Sequence, residues 1–405
     1  MTPFTPYQKR LFVFLSIATF FEGYDFIALS QILPNLRASF DLSEAQGGLL
    51  GSVISLGTIL AYILVRLADR FGRRRILLLT ILGYSGFTML SGLAFEAYDF
   101  AAFQFAARMF QIAAWAVSMI IAAEEFPAER RGFVLGVIQA CNSLGVIVCA
   151  ALVPWLLITP TGWRTVYFIG VTPIFLLPWA RSRLKETALF AAHAERTHEE
   201  KRGLLTILRS PYRNRVLQLA LIWGLTYMST NTALLFWKEF AVGERGFTDI
   251  EVGHAVLMAS LLAAPFVFGV GRVIDHFGRR TSAVLIYGTS AVFVVLAYNL
   301  HNFWLLTLCL SVAIVMAIAL LTLLNALTTE LFPTAMRADA FAWSNNLLGR
   351  IGYVIAPAVV GFAASNVGWS WALNFTAVPV LSALVLILWF VPETGGRTLR
   401  ETARL

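Results

Sequence analysis

The chain has 405 residues, 58% of them hydrophobic and only 13% charged, with a mean hydropathy of +0.74 and a formal net charge of +8. Its apolar runs are about 20 residues long, the length that crosses roughly 30 Å of hydrocarbon, so the composition defines a multispanning membrane protein. The basic balance does not point to nucleic acid, because Lys and Arg gather at the ends of the apolar runs, where they set topology.

Six spans are expected in the first half, near 11–34, 46–65, 76–95, 100–123, 132–156 and 163–180. Six more are expected near 214–237, 251–271, 281–300, 303–327, 340–363 and 370–391. Placing the start in the cytoplasm puts 25 of the 31 Lys and Arg inside, four outside (Arg37, Arg164, Lys238, Arg245) and two within spans (Arg108, Arg350). No small-residue cleavage site follows the first span, which reads as a retained helix. Cys141, Cys149 and Cys309 fall inside spans with no pairing or metal spacing and read as packing residues. The charged stretch 181–215, with Gly203 and Pro211, reads as a linker, and parts such as 184–201 suit a surface-lying helix. The division expected is residues 1–181 as one six-helix bundle, 182–213 as a cytoplasmic loop, 214–392 as a second bundle and 393–405 as a cytoplasmic tail.

The halves are copies. Adding 206 takes Asp69, Phe71, Gly72, Arg73 and Arg74 to Asp275, Phe277, Gly278, Arg279 and Arg280. The same shift takes Glu124, Phe126, Pro127 and Arg131 to Glu330, Phe332, Pro333 and Arg337, and Trp163 to Trp369. One offset across three regions marks an internal duplication.

Ala68, Asp69, Arg70, Gly72, Arg73 and Arg74 resemble the loop 2 to 3 signature G-x-L-A-D-R-x-G-R-R of the major facilitator superfamily, and 271–280 resembles its loop 8 to 9 copy. Glu125, Phe126, Pro127, Arg130, Arg131 and Gly132 resemble the E-x-x-P-x-x-x-R-G element after span 4. Pro392, Glu393, Thr394, Gly396, Arg397, Thr398, Leu399 and Glu401 resemble the tail of the sugar and organic-acid porters, with Leu184, Glu186 and Thr187 as a weaker first-half counterpart. The resemblance covers essentially the whole chain. It implies an all-α membrane protein with twelve transmembrane helices in two pseudo-twofold-related six-helix bundles. One position departs: Val65 stands where the signature has Gly, which leaves close packing of helices 2 and 11 open there.

The resemblance implies that the loop charges form a gating latch between the halves, built from Asp69, Gly72, Arg73, Glu125, Arg131 and Glu186, with Asp275, Gly278, Arg279, Glu330, Arg337, Glu393 and Arg397; the alternative is that they only set topology and solvate the loops. Topology alone needs Lys and Arg and has no use for Asp69 and Asp275.

Ionisable residues inside spans are costly unless they face the bundle interior. Glu22 and Asp25 lie three apart on the first span and share a face. Asp25 is about 15 residues, roughly 22 Å, from the cytoplasmic end, and Arg108 is about 16 residues, roughly 24 Å, from that of its own span. A carboxylate beside an Arg in a partly dry cavity can exchange the ion pair for a proton, and the resemblance implies that part for Asp25 and Arg108. Glu22 stands as the alternative titrating group, and a static buried pair as the structural alternative. Arg350, about 10 residues into span 11, suits either a substrate carboxylate or carbonyls freed near Gly349, Gly352 and Pro357.

Further candidate cavity groups are Trp115, Gln139, Asn142, Tyr227, Thr230, Asn231, Trp343, Asn345 and Asn346. His254 and His276 sit at interfaces and are not expected to carry protons. Span 7 has Asn231 without the paired Gln usual in sugar porters, while FFEGYDF resembles the helix 1 motif of the aromatic and carboxylic acid symporters with Glu22 replacing its first Asp.

The expected function is proton-coupled symport of a small organic acid by alternating access, with the proton gradient as energy source and no cofactor. A sugar-type porter, a uniporter and a drug or metabolite exporter remain alternatives, and a non-transporting nutrient sensor is a distant one. An enzyme is not expected, since no metal-spaced His or Cys set and no nucleophile motif is visible. The expected partners are a small-molecule substrate and the lipid bilayer, without nucleic acid. The protein is expected to work as a monomer in the cell (inner) membrane with both termini cytoplasmic.

Overall fold

Hydrocarbon offers no partner for a peptide N–H or C=O, so each span must close its own hydrogen bonds. The computed structural model describes residues 4–187, 190, 204–267, 269–333 and 336–394; among these there are helices and no strand. The first helices are α1 (Pro6–Ser39), α2 (Glu44–Phe71), α3 (Arg73–Gly92), α4 (Ala97–Glu125) and α5 (Ala128–Leu157), followed by α6 (Arg164–Gly170) and α7 (Leu177–Arg183). The second half holds α8 (Arg213–Leu235), α9 (Trp237–Gly243), α10 (Asp249–Val267), α11 (Val270–Phe277), α12 (Arg279–Asn299) and α13 (Phe303–Glu330). It ends with α14 (Arg337–Phe341), a π-helical stretch at Ala342–Gly349, α15 (Arg350–Val367), α16 (Trp369–Asn374) and α17 (Ala377–Phe390).

Among the described residues ten helices are long and apolar enough to cross a membrane, and α8 with α9, bent by 44°, makes an eleventh when the pair is counted as one span. The expected sixth span is broken: α6 and α7 flank a 3-10 segment, Thr172–Leu176. The cause is Pro173 and Pro178, each lacking the N–H that an α-helix would send back four residues. Thr172 donates its hydroxyl to the Ile169 carbonyl, taking up the acceptor that Pro173 leaves.

α1 starts on a capping box, in which Thr5 Oγ1 accepts from the Gln8 amide at 3.2 Å and Gln8 Oε1 accepts from the Thr5 amide at 3.0 Å. It packs on α5 where side chains are missing: a Cβ on Gly23 would lie 2.0 Å from the Asn142 carbonyl oxygen, and one on Gly145 would lie 1.8 Å from that of Phe20. α8 and α15 meet the same way, since a Cβ on Gly352 would lie 2.1 Å from the Gly224 carbonyl oxygen. Leu11, Leu15, Leu77, Ile81, Val117 and Ile138 form a buried apolar cluster in the first half.

The chain separates into two compact units, and Asp41–Ser52, expected in the first bundle, groups with the second. The reason is small residues: a Cβ on Gly48 would lie 2.4 Å from the Pro357 carbonyl oxygen and 2.8 Å from Gly361 Cα, and the Ala358 amide donates to Ser52 Oγ at 2.8 Å. Close approach of α2 to α15 therefore occurs at Gly48, far along the helix from Val65.

Gly145→Ala is expected to lower stability by about 1–3 kcal/mol through overpacking, read as a lower melting temperature in detergent. Gly136→Ala, where a Cβ meets open space, is expected to leave it unchanged or slightly raised. Identical melting of the two variants would refute the close crossing of α1 and α5.

Candidate functional site

In the first unit Asp25 and Arg108 are both buried, at 6% and 7% exposure, so α1 and α4 place an acid and a guanidinium inside the same bundle. They do not form an ion pair. Asp25 Oδ2 accepts from Thr88 Oγ1 on α3 at 3.0 Å, and its Oδ1 has no hydrogen bond. Arg108 turns to its own helix and to α1, donating to Gln111 Oε1 at 3.2 Å and to the Phe26 carbonyl at 3.3 Å, with its guanidinium 4.7 Å from the Phe26 ring centroid. The close carboxylate–guanidinium pair expected from matching depth is thus replaced by two separate partnerships, because depth sets height along a helix and not the direction of the side chain.

Glu22 is 2% exposed, and neither of its carboxyl oxygens has a hydrogen bond. Gln111 Nε2 donates instead to the Glu22 backbone carbonyl at 2.6 Å. Of the other first-half candidates, Asn142 Nδ2 donates to the Thr19 carbonyl at 3.3 Å, and Trp115 Nε1 to Gln139 Oε1 at 3.4 Å. Asn142 is therefore an interhelical tie between α5 and α1, while Trp115 and Gln139 keep exposed surface.

In the second unit Arg350 follows the π-helical stretch directly. Such widened turns break the regular ladder and recur at functional sites. Its guanidinium carbon lies 5.5 Å from the Tyr227 ring centroid and 5.6 Å from that of Tyr353, and its Nε has no hydrogen bond. Two π faces thus flank the cation. Tyr227 donates its hydroxyl to Asn345 Oδ1 at 2.7 Å, so Tyr227, Asn345 and Arg350 form one assembly. Tyr353 was not among the expected residues, although its spacing of three from Arg350 places both on one face.

Asn231 has a different role from the ligand contact expected. It donates to the Tyr353 carbonyl at 3.0 Å, the acceptor left open because Pro357 has no N–H. Thr230 donates to the Thr226 carbonyl within its own helix. Trp343 and Asn346 are half-buried on the π-helical stretch.

Lys238, expected outside, is 2% exposed and ion-paired with Asp249. Nearby, Arg245 donates to the Tyr298 and Leu300 carbonyls at the end of α12, and burial holds its pKa below the ordinary value while Glu244 opposes the shift. In the first unit Arg164 donates to the Ala94 carbonyl at 3.0 Å. Positions 94 and 300 are related by the offset of the duplication, so both halves place a guanidinium on the same carbonyl from different points in the chain.

The loop charges form two equivalent clusters. In the first, Arg73 pairs with Asp69 and with Glu124, both at 3.2 Å, while Glu186 accepts from the Arg73 and Arg74 amides at 2.9 and 3.2 Å. Thr187 donates to Glu124 at 2.6 Å. In the second, Arg279 pairs with Asp275 at 2.8 Å and Glu330 at 2.7 Å, and Glu393 accepts from the Arg279 and Arg280 amides at 2.8 and 2.9 Å. Thr394 donates to Glu330 at 2.5 Å. Gly72 and Gly278 precede the capped helices at φ +101° and +78°, values that favour glycine.

Every one of these bonds runs inside its own unit. The residue paired with Arg73 is Glu124 and not the expected Glu125, as the 206-residue offset from Glu330 already indicated. Arg131 is exposed and joins neither cluster, Arg337 donates to the Phe332 carbonyl instead, and Arg397 lies outside the described residues.

Long apolar helices that carry ionisable side chains within the spans make this an integral multi-pass membrane protein. The chain belongs to the Major Facilitator Superfamily, which matches residues 15–248 and 219–404. The cis,cis-muconate transport protein of Acinetobacter baylyi is 31% identical over 95% of this chain and 93% of its own. The gentisate transporter of Corynebacterium glutamicum is 27% identical over 90% of this chain and 84% of its own. The crystal structure of a bacterial homolog to the human lysosomal transporter Spinster, inward-facing and unoccupied, has the same fold, with a TM-score of 0.78 at 14% identity over 96% of this chain and 97% of that one.

Glu186→Ala and Glu393→Ala are each expected to cost about 0.5–2 kcal/mol, the range for losing a helix N-cap. Asp69 has 65% of its side chain exposed, so Asp69→Ala is expected to cost about 0.5 kcal/mol or less. Thermal unfolding in detergent checks the ranking, and a larger loss from Asp69→Ala would overturn it.

Proposed function

We propose that this protein is a proton-coupled symporter of a small organic acid, working by alternating access between the two halves. The observation that carries the reading is Asp25, a buried carboxyl inside a span with one hydroxyl donor and an arginine in the same bundle that is partnered elsewhere. A carboxylate so placed is costly in hydrocarbon, and a proton removes the cost. Exchange of that proton for the attraction of Arg108 gives the group two states, and a carrier with two states of one acid can link substrate movement to the proton gradient. No cofactor is needed.

The substrate class follows from the second unit. Arg350 between two tyrosine rings offers a cation for a carboxylate and π faces for a planar body, with the Tyr227 hydroxyl held by Asn345. Muconate and gentisate, named for two of the relatives, are both planar carboxylates. We place the protein in the cell (inner) membrane, acting as a monomer with both termini cytoplasmic and no nucleic-acid partner.

Proteoliposome uptake driven by a pH gradient, with labelled muconate, gentisate, benzoate and xylose as the panel, tests this. A carboxylate should accumulate and xylose should not, and Asp25→Asn should abolish accumulation while exchange at equal pH persists. Accumulation that survives in Asp25→Asn would remove the coupling site. Arg350→Gln is expected to raise KM by roughly 10- to 100-fold, the loss of one charge-assisted hydrogen bond. An unchanged KM would take Arg350 out of the binding site.

A further inference from the structure

Asp25 does more than lack an ion pair: its carboxyl occupies a niche that belongs to two other helices. Thr88 Oγ1 on α3 donates to Oδ2, and the other oxygen, Oδ1, lies where a side chain on Gly170 of α6 would begin. A Cβ built on Gly170 would stand 2.2 Å from Asp25 Oδ1 and 2.9 Å from Thr88 Cγ2. Only the absence of a side chain at 170 leaves room for the carboxyl. Gly170 is also the last residue of α6 before the chain changes to the 3-10 segment, so the niche sits against the break in that span.

The groups around this carboxyl are few. On its own helix stand Glu22 and the Tyr24 phenol; α3 presents Tyr84 and Thr88; α4 presents Arg108; α6 presents Tyr167. Arg108 is the only cation among them in the described residues, and its guanidinium donates to Gln111 and the Phe26 carbonyl. A niche in which one hydroxyl donates to the carboxyl and no cation touches it suits a carboxylic acid. It suits a carboxylate poorly, because an unpaired buried charge costs several kcal/mol.

We propose that Thr88 and Gly170 are positioning residues for coupling, forming a niche that holds the Asp25 carboxyl while it carries the proton. The inference rests on the proposed coupling through Asp25. In the step it describes, the carboxylate takes a proton from hydronium, an O–H bond forms on Asp25 and water is left. The attraction to Arg108 is lost, and the side chain turns to Thr88 and Gly170. On the return the acid gives its proton to water, and the carboxylate leaves the niche for the guanidinium. Neither Thr88 nor Gly170 touches substrate in this scheme.

Infrared difference spectroscopy tests the niche without any substrate. In the purified full chain, the protonated-carboxyl C=O stretch that disappears in Asp25→Asn is followed through a pH titration. Thr88→Val keeps the shape and removes the hydroxyl, and should move the band to higher frequency and its midpoint about one pH unit towards acid, the equivalent of about one hydrogen bond. Thr88→Ser should restore both. Gly170→Ala should expel the carboxyl and produce an acid shift of the same sign, and no added shift should appear when Asp25 is already Asn. If Gly170→Ala does not fold, Thr88→Val decides alone.

A Thr88→Val protein with the wild-type band and midpoint would overturn the niche. So would a folded Gly170→Ala protein with both unchanged. If Asp25→Asn abolishes proton-driven accumulation while Thr88→Val and Gly170→Ala leave the band alone, the niche falls and the coupling reading stands. Full coupling in Asp25→Asn overturns both.

Discussion

A polar group inside hydrocarbon must find its partner within the protein, and that single constraint accounts for much of what the spans display. Where proline withdraws an amide, another residue supplies the donor: Asn231 reaches the carbonyl opposite Pro357, and Thr172 the one opposite Pro173. Where a cation enters a span it is covered by rings or carbonyls, as Arg350 is by Tyr227 and Tyr353 and Arg108 by Phe26. The acids are less completely provided for. Glu22 and Asp25 on α1 and Glu239 on α9 each hold a carboxyl oxygen with no donor, and the proposed coupling uses that vacancy at Asp25.

At the helix ends that carry the loop charges the same physics takes another form. A helix N-terminus presents unpaired amides and a partial positive charge, and a carboxylate satisfies both. Glu186 and Glu393 do this for α3 and α12, while Glu124 and Glu330 hold the arginine that opens each helix. The repetition of this arrangement, atom for atom in its main contacts, is what a duplicated sequence should produce. At the opposite ends the halves have diverged in sequence and kept the interaction, with Arg164 and Arg245 serving equivalent carbonyls.

The membrane class, the spans and the duplication were legible because they depend on hydropathy and on one numerical offset. The break after Gly170 was not, although Pro173 and Pro178 were visible, since proline kinks many spans without ending them. Reading the span 4 motif by resemblance selected Glu125, whereas the offset already pointed to Glu124. Asp25 and Arg108 could be set at one depth, but their partners could not be read, because rotation about a helix axis is fixed by packing. Thr88 and Gly170 carried no signal at all: a threonine and a glycine inside apolar spans look like ordinary packing until a carboxyl is found between them.

The capping of α3 has a temporal side. Glu186 lies 113 residues after Arg73, so while the chain is being made the opening amides of that helix wait until nearly the whole first bundle has left the ribosome. Its arrival closes the cap from the far end of the bundle's own sequence. The first half is thereby given a closing signal of its own, independent of anything its twin later contributes.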